Sequence, residues 1–151
     1  MPVAVATAND KWGEAVAEKR AYDLLERTAR FGETVIRFAG KIPKNAVTIP
    51  LIRQLVAAGT SVGANNCEAN DAVSRKDFRN KIGICKKEAS ETKYWLRMVA
   101  TAEPQMADEG RTLWVEANEL HLIFGKSYQT AGRNMEAAKR KTGRRQKPPS
   151  I

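Results

Sequence analysis

Residues 74–100, SRKDFRNKIGICKKEASETKYWLRMVA, carry apolar or small side chains at Phe78, Ile82, Cys85, Ala89, Thr92, Leu96 and Val99. The steps run 4-3-4-3-4-3, which is how one face of an α-helix returns, and not the alternation of a strand. Ser74 stands where an N-cap belongs, and Asp77 three residues on is a shorter substitute for a capping-box glutamate. Pro104 closes the segment. Outward from this stretch the rhythm repeats. Leu24, Thr28, Phe31, Val35, Phe38 and Ile42 form a first stripe ended by Gly40 and Pro43. Ile52, Leu55, Gly59, Val62, Asn66, Ala69 and Val73 form a second, with Thr48 as its expected N-cap and Pro50 in its first turn. Its middle, GTSVGANN (59–66), is poor in helix formers, since each helical Gly costs about 1 kcal/mol against Ala. The apolar register nevertheless continues through it and predicts a helix, with Gly59 and Gly63 letting a neighbouring backbone come close. Met106, Leu113, Ala117, Leu120, Phe124, Tyr128, Ala131 and Met135 form the fourth stripe, with Gly132 near its end. Four long one-sided helices on short connections predict an all-α fold, an antiparallel up-down-up-down four-helix bundle over residues 20–137.

The 151 residues suit one domain, and 42% apolar content is enough for a core. Charge is the unusual quantity: 26 Lys and Arg against 17 Asp and Glu give +9. The segment KRKTGRRQKPPSI (139–151) holds Lys139, Arg140, Lys141, Arg144, Arg145 and Lys147 with no acid, so two thirds of the excess sits there. Gly143, Pro148 and Pro149 argue against a packed helix, and residues 138–151 are expected to form a flexible basic arm. Residues 1–19 are expected to be a loosely ordered extension. No run nears 18 apolar residues, so no membrane helix is expected. The start lacks the basic n-region of a secretory signal, which points to the cytoplasm and to reduced Cys67 and Cys85.

Catalytic chemistry has little to work with. A carboxylate di-iron centre needs Glu-x-x-His on two helices; the single His is His121, and Asn118 stands three before it. Cys67, Cys85 and His121 lack zinc-finger spacing, both thiols fall within helical stripes where a small buried side chain is the usual outcome, and no phosphate-binding glycine loop is present. No enzyme, metal or cofactor is expected.

The cations are more informative. Arg79, Lys86 and Lys93 recur every seven residues, Arg97 follows by four, and Arg75, Lys76, Lys81 and Lys87 broaden the surface. Cations about 10 Å apart along a helix suit a polyphosphate backbone. The competing interpretation is a solvated face, partly neutralised by Lys87–Glu91 and Lys81–Glu88 pairs. Zinc-finger, RNP and KH signatures are all missing, so binding to RNA or DNA would depend on backbone charge and shape. The basic arm supplies a second, mobile contact. Ile84, Glu91, Trp95 and Met98 make a second stripe on the third helix, and Trp114 and Ile123 lie off the seam of the fourth. This surplus surface suggests a subunit interface. Glu68, Glu88 and Glu91 with Asn65 and Asn66 are expected to form a polar network near the seam of helices two and three. The alternative to nucleic-acid binding is a protein-interaction scaffold using a Trp95/Trp114 surface.

The stretches GTSVGANNCEAND (59–71), SRKDFRNKIGICKKEASETKYWLRM (74–98) and AYDLLERTARFGETVIRFAGKIPK (21–44) resemble the four-helix-bundle proteins encoded in intervening sequences of bacterial 23S ribosomal RNA. That family includes accessory variability proteins of diversity-generating retroelements. The similarity covers about residues 20–134, and the early extension and the basic arm lie outside it. The resemblance implies a homopentameric, barrel-like assembly with a positive surface, a non-enzymatic role on nucleic acid and, in the retroelement branch, a reverse transcriptase partner. Its signature falls on Gly59, Ser61, Gly63, Asn65, Glu68, Ser74, Phe78, Lys81, Glu88, Tyr94 and Trp95, mostly positions suited to packing and assembly.

Overall fold

A computed structural model describes residues 19–145; the expected N-terminal extension, up to residue 18, lies outside the described residues, as do 146–151. Four α-helices follow in order: α1 (Lys19–Lys41), α2 (Thr48–Asn70), α3 (Arg75–Ala102) and α4 (Ala107–Arg145), with a short 3-10 turn at Pro104–Met106 before α4. No strand occurs among the described residues. Successive helices pack side by side, whereas α1 and α4 touch only sparingly. Every pairing is antiparallel. Gly63 and Asn66 of α2 meet Thr28 of α1 while Gly59 meets Val35. Lys81 and Cys85 of α3 reach Glu68 and Val62 of α2. Arg79 and Lys93 of α3 reach Tyr128 and Asn118 of α4.

The core is the set of stripes read from the spacing: Phe31, Val35, Phe38, Ile42, Leu55, Val62, Ile82, Cys85, Leu96, Val99, Leu113, Leu120 and Phe124 are all buried. The weak helix former GTSVGANN is helical because its small residues let α1 close in. A Cβ on Gly63 would stand 3.2 Å from the Thr28 carbonyl oxygen, and one on Gly59 would stand 2.7 Å from Val35 Cγ1. Packing outweighs propensity there. Buried Thr28 spends its hydroxyl on the Leu24 and Leu25 carbonyls and accepts from Asn66 Nδ2 at 3.4 Å, so the polar pair inside the α1–α2 seam is satisfied.

Three local expectations are corrected. Thr48 does not cap α2: its hydroxyl donates to the Pro43 carbonyl at 2.5 Å, and the Asn45 side-chain oxygen accepts from the Val47 and Thr48 amides at 2.9 Å, which closes the connection. Val73 does not extend the α2 stripe. The helix stops at Asn70 and Val73 is 94% exposed in the turn to α3. The arm expected from residue 138 is helical through Arg145. Ala137, Ala138, Lys139, Arg140 and Lys141 are good helix formers, Arg144 and Arg145 favour the negative end of the helix dipole, and Gly143 alone is too small a cost to stop it. Ser74 does cap α3, accepting from the Asp77 amide at 3.0 Å.

Candidate nucleic-acid interface

Charge is distributed unequally over the flanks of the bundle. On the α1–α4 side the cations are spent on acids. Arg27 grips Glu116 through two bonds, Nε–Oε1 at 2.7 Å and Nη2–Oε2 at 2.9 Å, and also reaches Glu119. Lys41 pairs with Glu109 at 2.7 Å. The Arg27 hydrogen bonds hold the Glu116 carboxyl below its ordinary range against the opposing effect of burial.

On the α3–α4 side no described carboxylate pairs with Arg75, Arg79, Lys86, Lys93 or Arg97. Seven residues make nearly two turns, so these five side chains fall in one strip along α3. Not all of them face open solvent. Arg79 lies across the Tyr128 ring at 3.9 Å from its centroid and donates Nε to the Tyr128 carbonyl at 3.3 Å. Its guanidinium fills the place of a missing side chain, for a Cβ on Gly132 would stand 2.8 Å from Nη2. Lys93 is half-buried: Nζ donates to Asn118 Oδ1 at 3.0 Å and to His121 Nδ1 at 3.1 Å, and stands 5.4 Å from the centre of the Trp114 ring. Burial first, then Lys93 and Lys86, push the His121 imidazole below its ordinary value, so it stays neutral and can accept. Lys86 and Arg97, with Arg75 at the start of α3, are exposed. The strip therefore alternates cations anchored against α4 with free ones. Exposed Lys76 and Lys87 sit further round on the outer face, where Lys87 pairs loosely with Glu91 at 4.0 Å. Lys81 belongs to the other flank, bound to Glu68 at 2.5 Å and not to Glu88.

The exposed cations of the α4 tail, Lys139, Arg140, Lys141, Arg144 and Arg145, ride on a helix and not on an extended arm; Lys139 pairs with Glu136 at 3.6 Å, and Lys147 lies outside the described residues. Exposed Lys126 and Arg133 were not among the candidates. With Arg140 they repeat every seven residues along α4, the same signal that marks α3, here interleaved with the apolar stripe of the helix.

The expected subunit interface separates into two. Ile84, Glu91, Trp95 and Met98 are half-buried on the α2 flank of α3, where Trp95 packs on the core and meets Tyr94 edge to face at 4.9 Å. Trp114 stands across α3 from them, beside Lys93 and Arg97. The structure thus provides no shared Trp95/Trp114 surface. Nor does the polar network form as one unit: Asn66 turns inward to Thr28, Asn65 bonds the Ser61 carbonyl of its own helix, Glu68 takes Lys81, and Glu91 takes Lys87. Burial and nearby Glu91 raise the Glu88 carboxyl above its ordinary value, against the pull of Lys87.

Among the described residues no group of three or more His, Cys, Asp and Glu could hold a metal ion, and no helix is long and apolar enough to cross a membrane. Cys85 is buried with its thiol pushed up to about 12 by that burial, far from a reactive thiolate at neutral pH; Cys67 is exposed.

The fold has a counterpart among solved structures. A protein of unknown function from the S23 ribosomal protein family of Bacteroides thetaiotaomicron VPI-5482 matches with a TM-score of 0.66 and 25% identity, over 73% of this chain and 98% of that one. No curated protein matches. The family model for the 23S rRNA-intervening sequence protein matches residues 20–126, which span nearly all of α1, all of α2 and α3 and the first half of α4. With that match over most of the bundle, and the helix-two and helix-three signature it contains, the chain belongs to the family of 23S rRNA-intervening sequence proteins.

Proposed function

We propose that the protein is a non-enzymatic, homo-oligomeric accessory protein that binds the phosphate backbone of RNA or DNA along its α3–α4 flank. The observation that carries this reading is the asymmetry of charge pairing: cations of the α1–α4 side are matched by carboxylates, while Arg75, Arg79, Lys86, Lys93 and Arg97 are not. Lys126, Arg133 and the helical tail from Lys139 to Arg145 add exposed positive charge on other parts of α4. The half-buried Ile84, Glu91, Trp95 and Met98 flank supports assembly with further copies, and the resemblance to retroelement accessory proteins supports a reverse transcriptase as a protein partner. A scaffold role through paired tryptophans loses its surface, because Trp95 and Trp114 do not share one.

Exposed cations are the ones to change, since Arg79 and Lys93 also hold α3 to α4. Labelled RNA and DNA are titrated across a salt series with wild type and a Lys86→Glu/Arg97→Glu variant. Neutralising about six phosphates gives a log–log slope near −5 on duplex DNA, and the variant should lower it by about two while weakening binding at every sequence. Equal affinity for both proteins, or no salt slope, refutes the reading.

A further inference from the structure

One place on the cationic flank is not merely charged. Trp114 is 40% exposed on α4, and beside it the small residues Ala100, Ala107 and Gly110 leave a shallow notch bounded by Arg97 and Arg111. Lys93, pinned by Asn118 and His121, approaches the same ring from α3. We propose that this notch is a stacking site for an unpaired nucleobase, and hence that the protein prefers single-stranded over double-stranded nucleic acid.

The proposal rests on the nucleic-acid reading above and adds a ligand class to it. Indole offers a flat apolar face on which any base can stack, and cations on either side are placed for the flanking phosphates. In a duplex each base is already stacked on its neighbours and presents only its edges, so an indole beside a backbone-binding strip has nothing to cover. Arg111 is held only by exposed Asp108 at 3.1 Å on its own helix, a solvent-screened pair that phosphate can replace. A second copy of the chain is the poorer occupant. Lys93, Arg97 and Arg111 rim the site, so a two-fold contact that apposes the same flank would bring like charges together, and a contact with a different flank is one of the outcomes of the light-scattering test. The aromatic that sits among half-buried apolar neighbours, as a subunit contact would require, is Trp95 on the opposite side of α3.

The test compares a fluorescein-labelled single-stranded 30-mer of mixed sequence with the duplex of the same sequence, at one salt concentration, using wild type, Trp114→Ala, Trp114→Phe and the Lys86→Glu/Arg97→Glu variant. Losing one stacked base should weaken single-strand binding by about tenfold in Trp114→Ala, leave duplex binding within about twofold, and be largely restored by Trp114→Phe. The charge variant should weaken both ligands. Equal losses on the two ligands in Trp114→Ala, or no loss on either, overturn the stacking site while leaving backbone binding intact. If wild type binds neither ligand, both readings fall together. Light scattering on the same proteins supplies the remaining outcome: a lower mass for Trp114→Ala than for wild type makes the indole a contact between copies and overturns the proposal.

Discussion

Gly59→Ala should destabilise the protein although it replaces a poor helix former with the best one. In an open helix position the exchange gains about 1 kcal/mol. At residue 59 the new methyl would stand 2.7 Å from Val35 Cγ1, 2.9 Å from Cγ2 and 3.1 Å from Cβ. Val35 is fully buried and, as a β-branched residue in a helix, has one comfortable χ1, so it cannot rotate away and α1 must shift instead. Overpacking of this kind costs about 1–3 kcal/mol, which leaves a net loss of up to about 2 kcal/mol after the propensity gain. The melting temperature should then fall by several degrees, at about 3 °C per kcal/mol for a chain of this size. Urea unfolding followed by circular dichroism measures the difference, and two further proteins fix its cause. Gly40→Ala, where an added Cβ meets nothing within 4 Å, should be neutral to stabilising. In a Val35→Ala background the two closest contacts are gone and only the 3.1 Å approach to Cβ remains, so Gly59→Ala should lose most of its penalty. A Gly59→Ala protein that gains the full propensity benefit of about 1 kcal/mol, or one equally destabilised with and without the Val35 methyls, refutes the close approach of α1 and α2.

Two more predictions concern the flanks. Arg27→Ala should cost about 1 kcal/mol, because it removes a two-pronged, half-exposed ion pair from the side where α1 and α4 touch least. Glu116 has a depressed carboxyl, so its contribution is complete above the unfolded value of 4.5 and is lost as pH falls through the folded one; the difference in urea midpoint between wild type and variant should be smaller at pH 3 than at pH 7. His121 is depressed as well, but as a base: the folded protein takes up its proton less readily than the unfolded chain, so stability declines as pH drops below 6.5. Lys93→Met removes the nearest cation and should flatten that decline, with an NMR titration of the single imidazole moving toward its ordinary value; an unmoved titration refutes the Lys93–His121 contact.

The helices were legible because one-sided burial leaves a periodic trace, and it survived even the glycine-rich middle of α2, where small residues are themselves part of the packing. The cap of α2 was not, since Asn45 and Thr48 divide their hydrogen bonds according to a loop path that spacing does not encode. The α4 extension was not legible because Gly143, Pro148 and Pro149 signal a break, whereas the five good helix formers from Ala137 to Lys141 carry the helix on to Arg145. For the candidate interface, periodicity aligned Arg79, Lys86 and Lys93 correctly but could not show that alternate members lean on α4, because this depends on the gap at Gly132 and on the Asn118 and His121 acceptors of a different helix. The same limitation grouped Trp114 with Trp95: each lies off its own seam, and only the antiparallel register of α3 and α4 sends them to opposite flanks.

The reach of α4 sets a measure on what the protein can hold. From Trp114 to Arg145 the helix rises about 46 Å, and its last residues, 139–145, are exposed among the described residues. A rod of that kind fixes the separation between notch and tip. A single strand stacked at ~3.4 Å per nucleotide must be about 14 nucleotides long to touch both ends, so fragments much shorter than this have to choose between them. Affinity should therefore climb in two stages with ligand length, the second stage marking where one molecule first bridges the whole ruler.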